Sequence, residues 1–198
     1  MDTPIVVPLS VWMTGKSRGE VKRFLAGFSC AGRNREVDDF LHLPYKAQNF
    51  AKRHISATHL VLSSDSTEIL AYYTLVCKPL ALSAESLSEE AKQELDLFCR
   101  LNKATNCYEF SAYLIAQLGC NFNIKGKQKL SGDELMEGIL MHLRQMRISL
   151  GGNVTFVEYE KGNEKLFKYY SRNKFQPMFA TSDSEEKDKF DQMFRFLN

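Results

Sequence analysis

Three lysines, two glycines and a serine crowd the stretch Asn123-Ile124-Lys125-Gly126-Lys127-Gln128-Lys129-Leu130-Ser131-Gly132. An apolar, strand-like run, Cys107–Phe122, leads into it. A helical pattern with Leu135, Ile139, Leu143 and Met146 at three- and four-residue spacing follows over Ser131–Ile148. A helix start offers unpaired backbone N–H groups and the positive end of the helix dipole, so this junction could hold an anion. Neighbouring lysines would favour a phosphate-rich ligand. A solvated basic loop with glycines for turning fits the same residues, and residue types alone leave both readings open. The order Gly-x-x-x-x-Gly-Lys-[Ser/Thr] is absent, so this is not a Walker loop.

Other reactive residues exclude more than they offer. Cys30, Cys77, Cys99, Cys107 and Cys120 are odd in number and form no Cys-x-x-Cys pair. They read as reduced, mostly buried thiols of a cytoplasmic protein rather than as a disulfide frame or a zinc site. His42, His54, His59 and His142 have no metal-ligand spacing, so no metal is expected. No histidine or basic helix end is set beside Cys120 to make it a covalent nucleophile. Tyr170, between Phe167, Tyr169 and Phe175, reads on its own as a core aromatic.

The elements that must position these residues follow from the pattern. The chain has 198 residues and a net charge of +2, enough for one well-buried α/β domain and too weakly charged to announce a nucleic-acid partner. Its apolar runs are strand-length, and no membrane span is expected. The start, Met1-Asp2-Thr3-Pro4, does not read as a secretion signal. Residues 34–54 read as a helix kinked or divided at Pro44. Thr58–Ser63 and Ile69–Cys77 read as a hairpin about the polar turn Ser64-Asp65-Ser66-Thr67. After Lys78-Pro79 a helix capped by Ser88 and carrying Leu95, Phe98 and Leu101 reads as an exposed insertion. Gly151-Gly152 close the helix that ends near Ile148. Val154–Tyr159, Asn163–Asn173 and Phe175–Ala180 then read as strand, helix and strand. The tail fits either a helix, through Phe190, Met193, Phe194 and Leu197, or a strand, through the alternation of Phe194 and Phe196. The order predicts an α/β (α+β) class with a mixed sheet flanked by helices, in a single domain over 1–198 with a helical insertion around 83–106.

Three runs resemble one family. Leu114-Ile115-Ala116-Gln117-Leu118-Gly119-Cys120-Asn121 is similar to the fourth strand of the GNAT superfamily, whose pattern there is Leu-x-Ala-Arg-Leu-Ala-Val-Asp. The family follows it with a pyrophosphate loop, [Arg/Gln]-x-x-Gly-x-[Gly/Ala]. Setting Gln128 first puts Ser131 where glycine is usual, Gly132 at the variable position and Asp133 last. Asn163, Leu166, Tyr170, Lys174 and Phe175 resemble the helix Asn-x-x-Ala-x-x-x-Tyr-x-x-x-Gly-Phe, with Lys174 in place of a glycine that ends the helix left-handed. Upstream, Phe28-Ser29-Cys30-Ala31-Gly32, Val37-Asp38-Asp39-Phe40-Leu41, Thr58-His59-Leu60-Val61 and Ala71-Tyr72-Tyr73-Thr74-Leu75 are similar to the toxin-like bacterial branch of that superfamily. Together these runs cover roughly residues 28 to 180.

The resemblance implies the GNAT fold, in which the fourth and fifth strands splay, and an N-acetyltransferase using acetyl-CoA and a primary amine. It implies that the backbone of Leu118, Gly119 and Cys120 takes the pantetheine arm and polarises the thioester carbonyl. Gln128, Lys129, Leu130, Ser131, Gly132 and Asp133 would hold the pyrophosphate, although Asp133 is unwelcome beside it and would instead cap the helix. Asn163 would bind the pantetheine amide, and Tyr170 would protonate the departing thiolate. No general base is marked. Leu114 stands where some relatives have a glutamate, Glu109 could reach only through water, and Glu158 has a surface role as readily. The acceptor stays open among an unassigned amine, aminoacyl-tRNA with an antitoxin partner, and a non-catalytic CoA-binding module; a homodimer also stays open. Lys161, Lys165, Lys168, Arg172 and Lys174 would furnish the basic track that RNA needs. The acidic stretch Glu85–Asp96 opposes it.

Overall fold

The computed structural model describes residues 3–126, 128–178 and 189–198. Lys127 of the basic loop and the end of the strand expected over Phe175–Ala180 lie outside the described residues. The elements begin β1 (Ile5–Pro8), α1 (Leu9–Trp12), α2 (Arg18–Leu25), α3 (Arg35–His42), α4 (Ala47–Lys52), β2 (Ala57–Leu62) and β3 (Ile69–Ser83). A single 3-10 turn, Ala84–Ser86, leads to α5 (Glu89–Asp96) and β4 (Leu101–Asn102). Then come β5 (Cys107–Cys120), α6 (Gly132–Leu150), β6 (Val154–Glu160), α7 (Glu164–Arg172), β7 (Gln176–Met178) and β8 (Phe190–Phe196). Hydrogen bonding orders the strands β1-β2-β3-β5-β6-β8-β7, with β4 beside β5. The sheet is mixed: β5 runs parallel to β6, while β1–β2, β2–β3, β6–β8 and β7–β8 are antiparallel. The parallel ladder is short, with Cα partners Tyr113↔Thr155 and Leu114↔Phe156. Among the described residues no helix is long and apolar enough to cross a membrane.

The chain divides into two compact units, Met1–Val76 with Ile115–Ile139, and Cys77–Leu114 with Leu140–Asn198. The first gathers Leu9, Leu25, Phe28, Leu41, Leu60 and Tyr72 into one core, each of them at 1% exposure or less. Each such side chain contributes roughly 2 kcal/mol of burial. In the second, β6 and β8 pair over seven registered residues from Val154↔Phe196 to Glu160↔Phe190.

Local chemistry explains where elements begin and end. Pro44 divides the expected 34–54 helix into α3 and α4. Leu43 before it is extended at φ −76°, ψ 121°, the conformation a following proline enforces. Ser88 caps α5 by accepting from the Ala91 N–H, but that helix stops at Asp96, and Leu101 lies in β4 instead. Strand β3 also runs six residues past the expected stop at Cys77. Pro79 is exposed there, where a missing N–H is tolerated, and Leu80 and Leu82 resume the buried alternation. The tail is a strand: Met193 and Phe194 are both buried, so its two faces are covered and the alternation blurs. Three elements carried no expectation: β1, α1 and α2. The last is opened by a capping box, with Ser17 and Glu20 exchanging side-chain-to-backbone hydrogen bonds.

Candidate functional site

The end of β5 is built around a glycine and an asparagine. Leu118, Gly119 and Cys120 are half-exposed. A Cβ on Gly119 would stand 2.7 Å from Val37 Cγ1 and 3.3 Å from Phe28 Cζ, so glycine is there for close packing rather than for a turn. Asn121, 7% exposed, uses its whole side chain. Its amide donates to the carbonyls of Gly27 (3.0 Å) and Ile69 (2.7 Å), and its Oδ1 accepts from the N–H groups of Ser29 (3.0 Å) and Asn123 (2.8 Å). Three stretches of chain are thereby tied at the root of the basic loop. The segment beside them is fixed in turn: the Cys30 N–H donates to Asp38 (2.7 Å), and the Tyr72 hydroxyl donates to the Val37 carbonyl (2.6 Å). The sequence showed Asn121 at a strand end but gave no sign of this convergence.

Beyond Asn121 the loop turns into α6. Ser131 and Glu134 form a capping box, in which Ser131 N–H (2.8 Å) and Oγ–H (2.7 Å) donate to Glu134, and Glu134 N–H returns to Ser131 Oγ (3.2 Å). The cap is therefore Ser131 and not Asp133, because Ser-x-x-Glu satisfies two helix-start donors at once. Gln128, Lys129 and Leu130 line a cleft of about 650 Å³ with Gly126, Glu134 and the turn Ser63–Glu68. Its wall is mixed in charge, since Asp65, Glu68 and Glu134 face it along with Lys129.

In the second unit, Asn163 caps α7 by accepting from the Leu166 N–H at 3.2 Å. Its side-chain oxygen is engaged with the backbone, which the sequence pattern did not disclose. Lys174 closes the helix with φ +63°, taking up the left-handed turn usually given to glycine. On the buried side, Tyr170 (4% exposed) packs among Tyr159, Tyr169 and Phe175, with ring centroids 5.2–5.7 Å apart. Desolvation, with Tyr159 adding a smaller effect, pushes its phenol up to about 12. It stays protonated across the physiological range. On the outer side Lys161, Lys165, Lys168, Arg172 and Lys174 are all exposed. Of these, Lys168 pairs with Glu164 at 3.6 Å, and Arg172 lies over the Tyr169 ring.

The remaining candidates sort by environment. Burial first, then the Glu134 carboxylate, pushes the Cys120 thiol up to about 11, so it is held as thiol and is a poor nucleophile. None of the five cysteines is in a disulfide, and only Cys30 and Cys107 are buried, fewer than expected: Cys77 is exposed within β3, and Cys99 and Cys120 are half-buried. Leu114 is buried and apolar. Glu109 accepts hydrogen bonds from Asn102 and Thr105, and Glu158 from Gln192, both at the surface. Among the described residues no group of three or more His, Cys, Asp or Glu could hold a metal ion.

No protein-family profile and no curated protein sequence matches the chain. Solved structures do. A mutant form of the AtaT toxin is 16% identical with a TM-score of 0.65, covering 100% of this chain and 91% of that one. AtaT complexed with acetyl-methionyl-tRNAfMet is 16% identical with a TM-score of 0.63, over 98% and 94%. AtaTR bound with acetyl-CoA is 18% identical with a TM-score of 0.57, over 100% and 95%. Likeness at that identity speaks for the fold, and this chain has the GNAT fold in the form these toxins share.

Proposed function

We propose that this protein is an acetyl-CoA-dependent N-acetyltransferase. The observation that carries the reading is Tyr170, a phenol buried among Tyr159, Tyr169 and Phe175 whose surroundings keep its proton on. It sits at the position the family pattern reserves for the acid. The amine nitrogen attacks the thioester carbonyl, the carbon–sulfur bond breaks, and Tyr170 gives its proton to the departing thiolate. The amine's own proton leaves to water, since Glu109 and Glu158 are both engaged at the surface. The half-exposed backbone of Leu118, Gly119 and Cys120 would align the pantetheine arm, and one of its N–H groups would stabilise the oxyanion. Gln128, Lys129, Leu130, Ser131, Gly132 and Asp133 would hold the diphosphate, with the Ser131 N–H already given to Glu134. Asn163, its oxygen bound in the cap, has its side-chain amide left to meet the pantetheine. Direct transfer is favoured over an acyl-cysteine by the raised Cys120 thiol.

Among acceptors, the amino group of an aminoacyl-tRNA is the reading we favour. Its support is the row of exposed cations on and beside α7, together with the likeness to a toxin held with acetyl-methionyl-tRNA. Label transfer from radioactive acetyl-CoA, run in parallel on charged tRNA and on a panel of small amines and peptides, tests both levels. Transfer to charged tRNA alone is expected. Transfer to small amines alone would replace the acceptor, and cofactor binding without transfer to anything would leave only a CoA-binding module.

A further inference from the structure

The β2–β3 turn is built more heavily than a hairpin connection needs. Within Ser63–Glu68, the Ser63 hydroxyl donates to Asp65 (2.6 Å), and the Thr67 N–H (3.1 Å) and hydroxyl (2.9 Å) donate to the same carboxylate oxygen. Glu68 N–H donates to Ser63 Oγ at 3.0 Å, and Ser66 holds φ +59°. Four side-chain hydrogen bonds thus define the shape of this turn from within. Two groups on it then reach the loop between β5 and α6. The Glu68 carboxylate accepts from the consecutive N–H groups of Lys125 and Gly126, each at 3.0 Å, and the Ser64 N–H donates to Gln128 Oε1 at 3.3 Å. Gly126 is fitted to this contact, because a Cβ there would lie 2.5 Å from Glu68 Oε2, while its φ is not in the left-handed region.

We infer that Glu68 is a positioning residue, a latch by which the β2–β3 turn holds the loop in the shape that receives the diphosphate of acetyl-CoA. The inference rests on the reading of that loop as the cofactor's phosphate seat. Two charge-assisted hydrogen bonds to adjacent amides fix the loop backbone next to Gln128 and Lys129. The latch makes a prediction against simple electrostatics. A carboxylate near a bound diphosphate repels it, so removing Glu68 should tighten binding if charge were all that mattered. Removing a latch should weaken it.

The test compares Glu68→Gln and Glu68→Ala with wild type in titration calorimetry, using acetyl-CoA and, at millimolar concentration, acetyl-pantetheine, which lacks the diphosphate. Loss of one or two hydrogen bonds should raise the acetyl-CoA Kd by about threefold in Glu68→Gln and about tenfold in Glu68→Ala. Acetyl-pantetheine affinity and kcat at saturating acetyl-CoA should both stay at wild-type values. Gly126→Ala, which displaces the carboxylate while keeping its charge, should weaken acetyl-CoA binding in the same sense. Unchanged or tighter acetyl-CoA binding by Glu68→Ala overturns the latch, as does an equal loss for acetyl-pantetheine. A wild-type protein that binds neither ligand overturns the phosphate-seat reading itself, and the latch with it.

Discussion

Around the β5–α6 loop almost every contact is a hydrogen bond from a side chain to the main chain, whereas around Tyr170 the contacts are ring against ring. The loop is wet. Its backbone shape is set by Asn121 at its root, Glu68 at its middle and Glu134 at its end. The Tyr170 cluster is dry, and what its surroundings set is a protonation state. Hydrogen bonds with direction fix where a group is, and desolvation fixes what it carries. Damage to the loop should therefore appear in binding, and damage to the cluster in rate.

The sharpest break of that comparison is Tyr170→Phe. The ring and its packing remain, and the only proton the side chain can donate is gone. We expect kcat to fall by roughly 10²–10⁴-fold, with acetyl-CoA affinity and Tm near wild type. Should turnover persist while stability drops, Tyr170 belongs to the core only, and Tyr169 becomes the next residue to test. Asn121→Leu probes the other side. The substitution keeps the volume but leaves two carbonyls and two N–H groups without their partner, the Ile69 carbonyl in a buried place and the other three part-buried. At about 1–3 kcal/mol for each buried group left unsatisfied, the loss should reach about 3 kcal/mol or more. Urea unfolding monitored by circular dichroism reads this directly. A loss under about 1 kcal/mol would show that water replaces the side chain without penalty.

Lys174→Gly is the mildest, and it should stabilise. Lys174 holds φ +63° at the end of α7, a conformation that costs an L-residue about 1 kcal/mol and glycine almost nothing. A rise in Tm of about 2–4 °C is expected. An unchanged Tm would mean that unfolded-state entropy lost to glycine cancels the relief.

Much of this fold was legible because its signals are local. The division at Pro44, the Ser88 cap, the long strand into a basic loop and the buried face of α6 each depend on a few neighbouring residues. Local steric and capping rules act on consecutive residues, so sequence carries them. Where local signals conflicted, tertiary burial decided. Strand β3 continued through Pro79 because its far end is buried on alternate positions, and the tail became a strand because β6 and β7 pair with it on both sides. The site divides in the same way. Residue types placed Tyr170 in a helix and lysines in a loop. What gives Tyr170 its retained proton is the set of rings from β6, α7 and the turn into β7 that exclude water from it. The partners of Asn121 lie up to 94 residues away, and those of Glu68 up to 58. Hydrogen bonds between residues so far apart in sequence have no spacing rule to betray them, and only the folded chain brings their donors and acceptors within 3 Å.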